Sequence, residues 1–228
     1  MDIAYPSVRL IAATKTFNTP ELARDEYATD SEHLTEFAGR ACYQSFNRPN
    51  PMTAQNDAYL SRTLFEQGHW SIAEHASASF YLEGVSRAFT HELVRHRHLS
   101  FSQLSQRFVD ESDAAVVIPP ALVKNPSSAE AVISVLNSSR SYSNIVKQLE
   151  DEGLPRKQAR EAARAVLPNM MEAKIVVSGN LRAWHEFCLR RMQPDADAEM
   201  QQVSKEIFKQ LNKLAPSIFP LSEIPQES

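Results

Sequence analysis

The chain has 228 residues, 43% of them hydrophobic, enough for one large domain or two small ones around a sizeable core. A net charge of −4 argues against a general nucleic-acid binder, and no apolar run approaches the roughly 20 residues that span a bilayer. The two cysteines, Cys42 and Cys188, lie far apart, and the opening MDIAYPSVRL has no basic start followed by an apolar block, so no secretory signal is expected and the expected setting is reduced and cytoplasmic.

Val8 to Thr14 is a short run rich in branched residues and reads as a buried strand. Thr19-Pro20 opens a polar helical stretch. A helix from about Ser31 to Tyr43 follows, with Leu34, Phe37, Ala38 and Ala41 expected to face inward. Asn47 to Pro51 (NRPNP) is a break. Thr53 is expected to cap a helix running to about Gln67, which Gly68 ends. Gly68 to His75 (GHWSIAEH) is a polar constellation. Ala76 to Leu82 alternates and reads as a strand. From Gly84 to about His96 a helix is expected, with Arg87, His91 and Arg95 sharing one face.

Phe108-Val109 and Ala114 to Ile118 look strand-like, and Pro119-Pro120 breaks the chain. Ser127 to about Asp151 reads as a long helix whose serine-rich middle, Ser138 to Ser143, is a solvated face. Gly153 stops it, and Pro155 starts a helix to about Leu167. Lys174 to Ser178 is another buried strand. Gly179-Asn180 turns the chain into a helix from Asn180 to about Met192, with Trp184, Phe187 and Cys188 on its apolar side. A last helix spans about Asp195 to Leu214, and the proline-rich segment after Ala215 is expected to be loosely held. Strands interspersed with long helices indicate an α/β (α+β) single domain over residues 1–215, with a tail over 216–228.

The densest polar stretch is Arg95 to Arg107, RHRHLSFSQLSQR. Guanidinium groups this close repel one another unless anions sit between them, and each presents a fork that matches phosphate. Charge is uneven elsewhere too. Arg87, Arg95, Arg97 and Arg107 oppose Glu92, and Arg164, Lys174, Arg182, Arg190 and Arg191 oppose Glu172 and Glu186. Two cationic segments in an acidic chain suggest a pocket for small anions. With five glycines and neither a GxGxxG nor a Walker pattern, phosphates would have to be held by side chains.

Five of the seven histidines lie between His69 and His98, yet His91-Glu92 followed by His96 is one residue too long for HExxH, and the neighbouring arginines repel a divalent cation. No metal site is expected. Ser105 has no GxSxG elbow around it. From the residues alone, a nucleotide-handling enzyme and a non-catalytic nucleotide- or RNA-binding module using the RHRH segment both stay open.

Arg95-His96-Arg97, seven residues and then Ser105, with the extension Ser105-Gln106-Arg107, resembles the signature of the flavin-dependent thymidylate synthases (ThyX). GHWSIAEH, ARAVLPN and GNLRAWHEFCLRR resemble the family as well, so the likeness covers about Val8 to Arg191. The resemblance implies a homotetramer whose sites draw on several subunits, and conversion of dUMP to dTMP with FAD, NADPH and methylenetetrahydrofolate. It implies FAD contacts from His69, Ser71, Arg95, His96, Arg97, Gln103, Asn180, Leu181 and Arg182. It implies dUMP contacts from Glu92, Leu93, Val94, Arg95, Gln103, Leu104, Ser105, Gln106, Arg107, Arg164 and Arg191. Arg191 matches the catalytic arginine set against the uracil ring, an assignment that keeps the eleven-residue step from Asn180. Two positions depart: Phe108 stands where many members carry Tyr, and Glu186 where members carry His or Asn. A carboxylate at 186 suits a flavin site only if Arg182 or Arg190 pairs with it.

Overall fold

The computed structural model describes residues 2–226, so positions 227 and 228 of the expected tail lie outside it. Among the described residues the chain is mixed α/β, as expected. Its strands are β1 (Ser7–Ala13), β2 (Ser77–Ser86), β3 (Ser100–Gln103) and β4 (Glu172–Asn180), and its longest helices are α1 (Asp30–Tyr43), α4 (Ser128–Asp151), α6 (Leu181–Arg191) and α7 (Ala198–Leu214). Shorter helices are α2 (Asn56–Leu60), α3 (Arg87–Leu93) and α5 (Arg156–Ala163). The strands form one antiparallel sheet in the order β1-β2-β4-β3. No helix of the described residues is long and apolar enough to cross a membrane.

The described residues fall into two compact units. The first comprises 2–7, 81–96 and 101–176. Its core gathers Val116, Val135 and Met171. The serine-rich middle of α4 is only partly solvated, since Ser139 and Tyr142 are buried. The helix expected from Gly84 is shorter than the sequence suggests. Gly84 still belongs to β2, at φ 63°, and Ser86 caps α3 by accepting from the Phe89 N–H at 3.0 Å. Arg95 therefore lies in the turn beyond α3 rather than on its face. A Cβ at Gly84 would collide with the Tyr5 carbonyl. Gly84→Ala adds left-handed strain to that collision and is expected to cost at least about 2 kcal/mol, read as a lower urea midpoint at unchanged slope.

Phe108-Val109 is a turn, not a strand, because both N–H groups donate to the Ser105 carbonyl. The strand lies earlier, at Ser100–Gln103, inside the arginine-rich stretch. Of Ala114 to Ile118 only Val116 pairs, through isolated bridges to Ile3 and Met171.

The second unit comprises 8–80, 97–100 and 177–226. Thr19-Pro20 opens a turn rather than a helix. On α1 the expected inward face is only half-buried, and the buried face is polar: Ser31, Glu32, His33, Thr35, Glu36 and Arg40. The reason is pairing. Glu36 accepts from Arg40 Nε at 2.6 Å, Arg48 Nε at 3.2 Å and Asn56 Nδ2 at 2.8 Å. Arg40 also donates to the Ser45 and Thr53 carbonyls and lies 4.2 Å from the Tyr59 ring centroid. A charge matched this fully can be buried where an unpaired one cannot.

Thr53 does not cap the next helix. It ends a short 3-10 turn, and α2 starts at Asn56 and passes into a π-helical turn at Ser61–Glu66 that stops before Gly68. The segment after Ala215 is held, contrary to expectation. Ile218 and Phe219 are fully buried, the Ser217 N–H donates to Glu32 at 2.7 Å, and Asn212 donates to the Phe219 carbonyl at 2.9 Å. Prolines signalled a chain end without regular structure; they say nothing of two apolar anchors between them.

Candidate active site

In the first unit stand all the residues expected to touch dUMP except Arg191, together with Arg95, His96 and Gln103 of the flavin set. Leu93 is buried at the end of α3, whereas Val94 and Arg95 are exposed, and Arg95 pairs with Glu92 at 3.4 Å. His96 is half-buried in the following turn. Gln103, on β3, donates to Thr90 at 3.0 Å, and the Leu104 N–H donates to the Lys174 carbonyl at 2.8 Å. Ser105 then opens the turn through Phe108, Gln106 is buried against Glu111, and Arg107 lies 3.7 Å from Glu161. Phe108 itself is exposed.

Arg164 is exposed at the end of α5, and its charge is felt by Arg87. The sequence marked Arg87 only as part of a polar stripe, yet its guanidinium is half-buried and lies near Arg164. One of its guanidinium nitrogens, Nη1, is buried with no hydrogen-bond partner among the described residues. Burial pulls the Arg87 pKa down, Glu111 opposes that, and Arg164 adds to it. Glu111, 2% exposed, is itself pushed up by burial, toward the neutral acid. The unit thus holds two neighbouring arginines against one acid that resists ionising. An unsatisfied buried donor costs about 1–3 kcal/mol, which a bound anion would remove.

In the second unit stand His69, Ser71, Arg97, Asn180, Leu181, Arg182 and Arg191. Asn180 caps α6 by accepting from the Ala183 N–H at 2.8 Å, and Leu181 is fully buried as the helix starts. Gly179, just before the cap, has no Cβ because Leu99 occupies that space. Leu99 is 6% exposed, so it seats the loop bearing Arg97, which is exposed. A hollow of about 480 Å³ is lined by Gly68, His69, Trp70, Ser71, Arg182, His185, Glu186 and Leu189. Its volume is within the range of about 300–1,000 Å³ that small-molecule sites occupy. A lining that combines the Arg182 cation, the Ser71 hydroxyl and the Trp70 and His185 rings fits a piece of a dinucleotide such as FAD. The condition on Glu186 is met: Arg182 Nε bonds it at 2.9 Å, while Nη1 bonds Glu74 at 2.7 Å.

The eleven-residue step from Asn180 runs from the cap of α6 to its final residue, Arg191. Arg182, His185, Glu186 and Leu189 make one stripe along the helix. Nine residues at about 100° each place Arg191 on the side opposite Arg182, in line with the buried Trp184, Phe187 and Cys188. Arg191 is half-buried and Arg190 exposed. An arginine that extends a core-facing stripe is the less expendable of the two.

Known proteins share this chain nearly end to end. The family model described as thymidylate synthase complementing protein (Thy1) matches residues 26–217. A flavin-dependent thymidylate synthase of Mycobacterium marinum is 48% identical over 225 residues, covering 95% of this chain and 90% of that protein. The protein of that name in Mycobacteroides abscessus is 49% identical over 220 residues, covering 93% and 88%, and that of Corynebacterium diphtheriae is 48% identical over 223 residues, covering 93% and 88%. With the arginine-rich signature, the capped α6 and this breadth of identity in hand, the chain belongs to the family of flavin-dependent thymidylate synthases.

Proposed function

We propose that this chain converts dUMP to dTMP, taking the carbon from methylenetetrahydrofolate and the reducing equivalents from NADPH, in the cytoplasm, as a homotetramer with residues 1–215 as its catalytic domain. Family membership supports the reaction, and one observation carries the substrate reading: the unpartnered buried nitrogen of Arg87 beside Arg164. Held by these residues, FAD reduced by NADPH would supply the hydride.

The chain's own residues bind and polarise. Arg87, Arg107 and Arg164, with Ser105 and nearby backbone N–H groups, hold the dUMP phosphate. Glu92, Leu93, Val94, Arg95, Gln103, Leu104 and Gln106 shape the rest of that site. His69, Ser71, Arg95, His96, Arg97, Gln103, Asn180, Leu181 and Arg182 hold FAD. Arg191 stabilises negative charge on the uracil ring by favouring loss of the proton on nitrogen 3, which makes carbon 5 more nucleophilic. No cysteine then has to add to the ring. Cys188 suits that reading, since it is fully buried and burial drives its thiol pKa well up, keeping it protonated. The two opposed faces of α6 suit a site shared among subunits, one face for the cofactor hollow and the other for Arg191.

Arg87→Ala is expected to raise the Kd for dUMP by roughly tenfold to a hundredfold, the size of a lost hydrogen bond to a charged group, while leaving deoxyuridine binding unchanged. Titration calorimetry with both ligands on the FAD-loaded protein checks this. Equal loss for the two ligands would remove Arg87 from the phosphate. The reaction itself is tested by an anaerobic assay for dTMP with all four small molecules, and absence of product from folded, FAD-loaded protein would defeat it.

A further inference from the structure

Trp70 sits between His69 and Ser71 in the 3-10 turn Trp70–Glu74, on the wall of the second unit's hollow. Its ring stacks on His185 with centroids 4.0 Å apart and planes 24° from parallel, and the edge of Phe65 meets it at 5.3 Å. His185 Nε2 in turn lies 2.8 Å from Glu223 Oε2. Glu223 belongs to the segment that follows α7, which Phe219 anchors: the ring is fully buried, 5.5 Å from Phe208 and 5.8 Å from His185. The His185 side chain is 6% exposed and that of Glu223 23%, so this bond is largely shielded from water. A continuous line of contacts thus runs from the C-terminal segment, through a ring on α6, to the turn that carries two residues of the expected flavin set.

We infer that Glu223 is a positioning residue for FAD: by fixing His185 it fixes the Trp70 ring and with it the His69–Ser71 edge of the hollow. This rests on the assignment of that hollow to FAD. The carboxylate accepts from one ring nitrogen, so the imidazole cannot turn without losing a charge-assisted bond. The stack passes that constraint to Trp70, because an offset aromatic pair has few alternative packings at this separation. The segment after α7 thereby acts as a brace for the cofactor site without touching the cofactor.

The test is FAD affinity, read by quenching of flavin and Trp fluorescence on titrating FAD into the full chain and its variants. Glu223→Ala is expected to raise the Kd for FAD by on the order of tenfold. Glu223→Gln, which keeps an acceptor oxygen, is expected to restore most of that affinity. His185→Phe, which keeps a ring for the stack and loses the bond, is expected to match Glu223→Ala and stands in for it if that variant does not fold. In a Trp70→Leu background the Glu223→Ala effect should shrink to less than about twofold, since the two act in series. Unchanged affinity in both Glu223→Ala and His185→Phe, or an undiminished Glu223→Ala effect in the Trp70→Leu background, overturns the inference while leaving the FAD assignment intact. Failure of the unmodified chain to bind FAD defeats the assignment itself.

Discussion

Arg191→Ala is expected to lower dTMP formation by about 10²- to 10³-fold, some 3–4 kcal/mol of transition-state stabilisation, while the protein stays yellow with its FAD. The size follows from where the charge is needed. Carbon 5 of uracil becomes nucleophilic only as negative charge builds on the ring, and a preorganised guanidinium stabilises that charge more than it stabilises neutral substrate. The effect should therefore fall on kcat more than on dUMP affinity. Arg190→Ala is the internal control. Arg190 is exposed and lies about 100° round α6 from Arg191, so its loss should leave turnover within about twofold. If Arg190→Ala is the damaging variant and Arg191→Ala is not, the eleven-residue register from Asn180 assigns the wrong arginine.

The largest loss of stability is expected from Glu36→Gln. Glu36 and Arg40 have side chains 0% and 2% exposed, and Glu36 also receives Arg48 and Asn56. Neutralising it leaves a buried guanidinium facing an amide, with a second arginine drawn in beside it. Breaking a buried pair in this way costs about 3–5 kcal/mol, against a total of about 5–15 for an ordinary domain. In a chain of this length that lowers the melting temperature by roughly 10 °C, measurable by circular dichroism. Arg24→Ala gives the contrast. The Arg24–Asp30 pair is also within hydrogen-bond distance, at 2.9 Å, but its side chains are 50% and 32% exposed, so the expected change is below about 1 kcal/mol. Equal losses for the two variants would show that burial does not set the cost.

These two results draw on different levels of the sequence. The placement of Arg191 was legible: Gly179-Asn180 announced a helix start, Trp184, Phe187 and Cys188 marked its buried side, and α6 follows both signals. Helix α4 was equally plain, a long pattern with a clear stop, and β1 lies where its short apolar run predicted, although its residues are exposed or half-buried rather than buried. The polar face of α1 was not legible. A helical wheel ranks residues by hydrophobicity one at a time, whereas Glu36 and Arg40 are buried because Arg48, Asn56 and the Thr53 carbonyl reach them from elsewhere in the chain. The same limit hid Arg87, whose distinction is a partner it lacks. Strand β3 hid for another reason. Ser100 to Gln103 alternates exposed and half-buried residues, as a strand does, but four residues after so dense a run of charge carry no strand signal of their own.

Among the expected site residues, the hollow unites His69, Ser71 and Arg182 within the second unit, and Glu186 answers there to Arg182. His185 and Glu223 carried no sequence signal, because a histidine inside a helix and a glutamate near a chain end have many ordinary uses. Only their 2.8 Å approach, against a stacked Trp70, distinguishes them.

The absorption spectrum of the purified protein, before and after dUMP is added, shows whether one molecule brings a flavin and dUMP together. A flavin band that dUMP perturbs is expected. A colourless protein that takes up no added FAD, or a bound flavin indifferent to saturating dUMP, would contradict that expectation.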